Sequence, residues 1–207
     1  MCNPGDKVAV FSPFYENYGA DAILSGADPI YIPLVPPDFH YDRAVLEQAF
    51  RDGAKALILC NPSNPCGKVF TMGEMEEIAE LAKRYDAFVI TDEVYEYIIY
   101  DGNRHISMAA LPGMYERTIT CSSLSKTYSM TGWRVGYAAG NAALIKGMTS
   151  LQGHTTSNTC SIAQYAALEA ISGPQDSVES MRVEFDKRRK FLVERLNSMD
   201  GITCNNA

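Results

Sequence analysis

The sequence predicts an α/β protein: a mostly parallel, doubly wound sheet in three layers, with helices on both faces. Three observations carry this expectation. Strand-length apolar runs alternate along the whole chain with helical patterns of about ten to fifteen residues. Several of those runs are apolar throughout rather than alternating, as strands covered on both faces require. Each run also stops at a cluster of turn-forming or polar residues, and in such sheets the loops after the strand carboxyl ends form the ligand platform.

Taken in order, residues 7–11 (KVAVF) and 29–34 (PIYIPL) are short strands, and residues 41–50 form a helix whose Ala44, Val45, Ala49 and Phe50 face a core. Residues 56–60 (ALILC) are a buried strand that stops at the turn-rich NPSNPCG of 61–67. Thr71 and Glu74 have capping-box spacing, in which a hydroxyl and a carboxylate reciprocally satisfy the first free amides of a helix. Met75, Ile78, Ala79 and Ala82 continue the apolar face of that helix towards Tyr85. Residues 87–91 (AFVIT) are another strand, ending on Asp92 and Glu93, and 117–121 (RTITC) and 135–139 (VGYAA) are two more. Helical patterns follow at 142–152, 161–171 and 177–199. The charges of the last are mixed in sign, which fits a solvated face or a connector between domains.

The 207 residues carry a formal charge of -7, which argues against a general nucleic-acid or anionic-membrane surface while leaving room for a local basic pocket. No run reaches membrane-spanning length, so neither nucleic acid nor membrane is an expected partner. The six cysteines have no CxxC spacing, and Cys60, Cys121 and Cys160 lie in or beside apolar segments, the pattern of reduced thiols in a cytoplasmic protein. His40, His105 and His154 form none of the short metal-ligand spacings, so no metal is expected.

Asn64, Asp92 and Lys126 each fall at or just after a predicted strand end, so the fold can bring three distant loops together. Lys126 sits in SSLSKTYSMTGWRVGY, residues 122–137, among hydroxyls and eight residues before Arg134, which adjoins the one tryptophan. Taken alone, that stretch is either a basic surface loop or a pocket that holds an anion and keeps an amine available.

Three segments, NPSNPCG at 61–67, TDEVYEY at 91–97 and SSLSKTYSMTGWRVGY at 122–137, resemble the motifs of class I/II aminotransferases, which use pyridoxal 5'-phosphate. The texture is similar to the bacterial aspartate aminotransferase branch. Weaker similarity runs from Pro4 through Ser12, Pro13, Phe14 and Tyr15 to the segment 155–164, so nearly the whole chain is covered. The resemblance implies the fold of the aminotransferase large domain, incomplete here. It implies a cofactor-binding domain over 1–174, lacking its leading part, and a connecting helix with the start of a small domain over 175–207. It also implies a homodimer when full length.

For the site, the resemblance implies that Lys126 is the residue that attaches covalently to the cofactor and then moves a proton at the substrate α-carbon. Asp92 would pair with the pyridine nitrogen, Tyr95 and Asn64 would donate to the ring oxygen, and Arg134 and Ser123 would hold the phosphate. Tyr15 would stack on the ring face. Gly132 and Gly136 are read as sites of close backbone approach or unusual torsion, and Trp133 as a packing anchor. Cys66 stands where the family often has threonine and receives no catalytic role. The implied reaction transfers an amino group from an L-amino acid, aspartate first, to a 2-oxo acid, 2-oxoglutarate first. Aromatic amino acids or alanine remain as donors, because the arginine that clamps the substrate carboxylate is expected outside this chain. Two other readings stay open: a carbon-sulfur or other lyase on the same scaffold, and an inactive regulatory or interaction module.

Overall fold

A computed structural model describes residues 1–206. Six strands form one sheet in the order β2-β1-β3-β4-β5-β6. They are β1 (Lys7–Ser12), β2 (Asp28–Pro33), β3 (Ala54–Cys60), β4 (Phe88–Asp92), β5 (Thr118–Ser123) and β6 (Gly136–Gly140). The first five are mutually parallel, and β6 runs antiparallel to β5. The period of two along each strand sorts side chains to two faces. Ala9, Phe11, Leu57, Leu59 and Val89 enter one core cluster, while their neighbours Val8, Val10, Ala56, Ile58 and Cys60 enter the other.

The first cluster is completed by α2 (Arg43–Arg51) and α3 (Met72–Arg84), which bury Leu46, Phe50, Met75, Ile78 and Leu81. Met75, Ile78, Ala79 and Ala82 all face inward as expected. In α2 the phase differs from the expectation: Leu46, Ala49 and Phe50 are buried, whereas Ala44 and Val45 are exposed. An i, i+3, i+4 stripe centred on Leu46 turns Val45 away from the sheet.

The capping box forms, with Thr71 Oγ1 accepting from Glu74 N at 3.3 Å and Thr71 N donating to Glu74 Oε2 at 2.8 Å. Lys68 adds an ion pair to Glu74 at 2.8 Å. Thr71→Ala is therefore expected to cost about 1 kcal/mol, read as a lower denaturant midpoint at unchanged slope; an unchanged midpoint would show that the cap contributes nothing.

On the opposite face, α1 (Asn17–Leu24) packs Tyr18 and Ala22 against the sheet. Further along, α4 (Leu124–Thr127), α5 (Ala142–Thr155), α6 (Ser161–Ser172) and α7 (Asp176–Asn197) follow. Leu124, Met130 and Ala167 form a third small cluster. Between α1 and α5 this face opens into an apolar groove of about 520 Å³ over Val8, Ile58, Ile90 and Ile119. The expected two-sided covering is thus complete on one face and partial on the other. No helix among the described residues is long and apolar enough to cross a membrane, and all six cysteines are free thiols.

Candidate functional site

Five parallel strands put their carboxyl ends along one edge of the sheet, and antiparallel β6 starts from that same edge. Tyr15 follows β1, Asn64 follows β3, Asp92 ends β4, Ser123 ends β5, Lys126 lies in α4, and Arg134 immediately precedes Val135 and β6. Together with Tyr95 on the turn after β4, all seven line one cavity of about 340 Å³. It lies where the winding reverses, since β1 has β2 on one side and β3 on the other.

Asp92 has its carboxylate fixed by two donors. Tyr18 Oη donates to Oδ2 at 2.6 Å, and the Val94 backbone N–H donates to Oδ1 at 3.1 Å. A carboxylate has roughly four acceptor positions, so a third donor can still be accepted. Burial, then the neighbouring Cys60 and Asp92, hold the Tyr18 phenol far above its ordinary range, so it remains a donor. Burial and Asp92 push the Cys60 thiol up to about 11, and burial with Asp92 and Glu93 pushes Cys121 up to about 11. Both therefore stay protonated and add no anion near Asp92. Burial, followed by Cys60, Asp92 and Tyr15, likewise raises Tyr95, which keeps its phenolic proton available for donation.

Lys126 is exposed to solvent at this edge, with Nζ 5.9 Å from the centroid of the Tyr95 ring. Ser123 caps α4, its Oγ accepting from Ser125 N at 3.0 Å, which leaves the hydroxyl proton to donate elsewhere. Arg134 has a left-handed backbone at φ 53°, a conformation that costs a non-glycine residue of order 1 kcal/mol or more. Its Nη1 donates to Thr131 O at 2.7 Å, and the exposed guanidinium keeps further donors for an anion. Gly136 is a site of close approach, because a Cβ there would lie 3.2 Å from Ser122 O. Gly132 is not: a Cβ would meet open space and no unusual torsion is needed. Trp133 is corrected as well, since it is 47% exposed and lines a wider cleft with Arg134 and Cys160 rather than anchoring a core.

Two groups of residues were not expected, one lining the cavity and one beside it. Tyr18 escaped because its position depends on α1, a helix whose N-terminus has no side-chain cap bond and whose sequence NYGADAIL has a weak helical signature. Its one legible signal is the i, i+3 spacing from Tyr15. The second group is Glu93, Glu96 and His105, whose ligand-capable atoms lie within 4.8 Å of one another although their spacing in sequence is irregular. His105 Nε2 and Glu93 Oε2 are 2.8 Å apart, while the Glu96 carboxylate accepts from Ser122 Oγ at 3.4 Å.

The cavity wall combines one carboxylate with spare acceptor capacity, Asp92, with the Tyr95 phenol, the Asn64 amide, the Ser123 hydroxyl and the Arg134 guanidinium, a set able to hold a small molecule that carries both a basic and an anionic group. Lys126 lines the same space and brings the cavity its one amine.

Residues 1–206 match the family described as aminotransferase class I and II. The chain is 40% identical over 207 residues to an aspartate/prephenate aminotransferase of Cereibacter sphaeroides, covering 99% of this chain and 52% of that protein. It is 41% identical over 203 residues to an aspartate aminotransferase of a Bacillus species, strain YM-2, covering 97% and 52% respectively. Its structure aligns with an aspartate aminotransferase of Rhizobium meliloti at TM-score 0.95 and 34% identity, over 100% of this chain and 52% of that one. An aromatic aminotransferase of Pyrococcus horikoshii aligns at TM-score 0.93 and 39% identity, over 97% and 54%. The chain therefore spans about half the length of the relatives it matches.

Proposed function

Because this chain belongs to the class I and II aminotransferase family, we propose that the protein carrying it is a pyridoxal-phosphate-dependent transaminase that moves an amino group from an L-amino acid to a 2-oxo acid. Aspartate and 2-oxoglutarate are the preferred pair, on the strength of relatives named as aspartate aminotransferases. The observation that carries the reading is the meeting of Asp92 with Lys126 and Arg134 of the 122–137 segment in one cavity with Tyr15, Asn64, Tyr95 and Ser123. We further read the protein as a cytoplasmic homodimer, with 1–174 as the cofactor domain and 175–207 as the connection to a second domain.

Bound pyridoxal phosphate supplies a reactive carbonyl and an electron sink for the substrate's α-carbon electrons. The residues supply the rest. Asp92, aligned by Tyr18 and the Val94 amide, would hold the protonated ring nitrogen through a charge-assisted bond. Tyr95 and Asn64 would donate to the ring oxygen, and Tyr15 would pack on the ring. Arg134 and Ser123 would hold the phosphate and so orient the group. Lys126 would be the residue that holds the group covalently, and its amine, exposed in the same cavity, would serve as the base that moves the proton of the substrate α-carbon.

Titration with pyridoxal phosphate, followed by borohydride reduction and peptide mapping, tests the site: the label is expected on Lys126. Amino transfer from aspartate to 2-oxoglutarate, compared with aromatic donors and with ammonia release, tests the reaction. A label on another lysine would overturn the site, and ammonia release without transfer would replace the transaminase by a lyase.

A further inference from the structure

Glu93 is 3% exposed, yet it does not line the cavity that its neighbours Asp92 and Val94 line. A buried carboxylate needs partners, and this one has three. Oε1 accepts from Thr91 Oγ1 at 3.0 Å and from Ser107 Oγ at 3.0 Å. Oε2 lies 2.8 Å from His105 Nε2. The carboxylate can only accept, so His105 donates to it from Nε2, while His105 Nδ1 is buried without a partner. The backbone of the same residue is also engaged: Glu93 N donates to Cys121 O at 2.8 Å, and Glu93 O accepts from Glu96 N at 3.0 Å.

Residue 93 thus ties the end of β4, the edge of β5 and the 105–107 segment to one point. Buried ionic clusters are seldom favourable over apolar packing of equal volume, but they do fix geometry. On one side of this point is Asp92, and two residues on is Tyr95, whose ring faces Lys126. We propose that Glu93 is a positioning residue for the cofactor site: by gathering Thr91, His105 and Ser107 it holds Asp92 and Tyr95 in place opposite Lys126. This rests on the pyridoxal-phosphate reading above.

Glu93→Gln in the complete protein is the direct test. The amide oxygen can still accept from Thr91 and Ser107, but the amide nitrogen faces His105 Nε2 and forces the imidazole proton onto Nδ1, where no partner waits. The expected result is weaker pyridoxal-phosphate binding by about tenfold, the scale of one charge-assisted hydrogen bond. A shifted pH midpoint of the bound cofactor's visible absorbance and a fall in kcat at nearly constant KM are expected with it, while borohydride still labels Lys126. Binding and absorbance midpoint both equal to the unsubstituted protein would overturn the proposal and leave the function reading intact. Should Glu93→Gln fail to fold, Ser107→Ala decides: weaker cofactor binding and a shifted midpoint in a folded protein support the positioning role, and unchanged values reduce the network to a structural pin. If the unsubstituted protein does not label at Lys126, the function reading falls and the positioning role falls with it.

Discussion

Lys126→Ala is expected to abolish covalent attachment of pyridoxal phosphate and to lower amino transfer by on the order of 10³-fold or more, since on the proposed function it removes both a nucleophile and a general base. The site holds no second amine suited to the task, because the other residues lining the cavity are aromatic, hydroxyl, thiol, amide, carboxylate, apolar or guanidinium. A guanidinium is a donor only and does not serve as a base. The substitution should leave the fold intact. Lys126 is exposed on the short helix α4 and belongs to none of the apolar clusters, and alanine is the better helix former. Stability is accordingly expected to change by no more than about 0.5 kcal/mol. Cofactor should still bind, reversibly, through Asp92 and Arg134. Borohydride labelling, equilibrium titration and steady-state rates separate these effects. Retained labelling elsewhere with retained transfer would remove Lys126 from the chemistry.

The parts of this site that were legible in the sequence are those governed by local rules. β3 and β4 are long apolar runs with abrupt polar ends, and the residues at those ends, Asn64 and Asp92, had to emerge at one edge once the strands were parallel. The α3 cap was legible because both partners lie within four residues. The phase of α2 was not, since both Val45 and Leu46 are apolar and only the sheet decides which is buried. Tyr18 and the Glu93 network were invisible for a related reason. Their bonds run from residue 18 to 92, and from 93 to 105 and 107, and depend on a weakly marked helix and on a loop without periodicity. Motif resemblance could name Asp92, but only the folded chain reveals what orients it.

That orientation makes Asp92→Asn the more discriminating of the two substitutions at the carboxylate. Alanine would leave the Tyr18 hydroxyl and the Val94 amide without their acceptor, at a cost of about 1–3 kcal/mol for each group left unsatisfied, and would confuse a folding defect with a chemical one. Asparagine keeps the shape. The Val94 N–H, a fixed donor, selects the amide oxygen, so the amide nitrogen turns towards Tyr18, whose hydroxyl can rotate and accept. The network survives while its negative charge is lost. On the proposed function the ring nitrogen would then lack an ion-pair partner and the cofactor would be a poorer electron sink, so the proton transfer assigned to Lys126 would be harder although Lys126 is untouched. Cofactor affinity is expected to fall by about 10- to 100-fold, the scale of a charge-assisted hydrogen bond of about 1.5–3 kcal/mol, and kcat is expected to fall further than KM rises. The thiols give an internal check, because Asp92 contributes to holding both Cys60 and Cys121 high; removing its charge should lower both and speed their alkylation at alkaline pH. Unchanged thiol reactivity together with unchanged transfer would mean that the carboxylate is not ionised in the working site, and the ion-pair role of Asp92 would have to be abandoned.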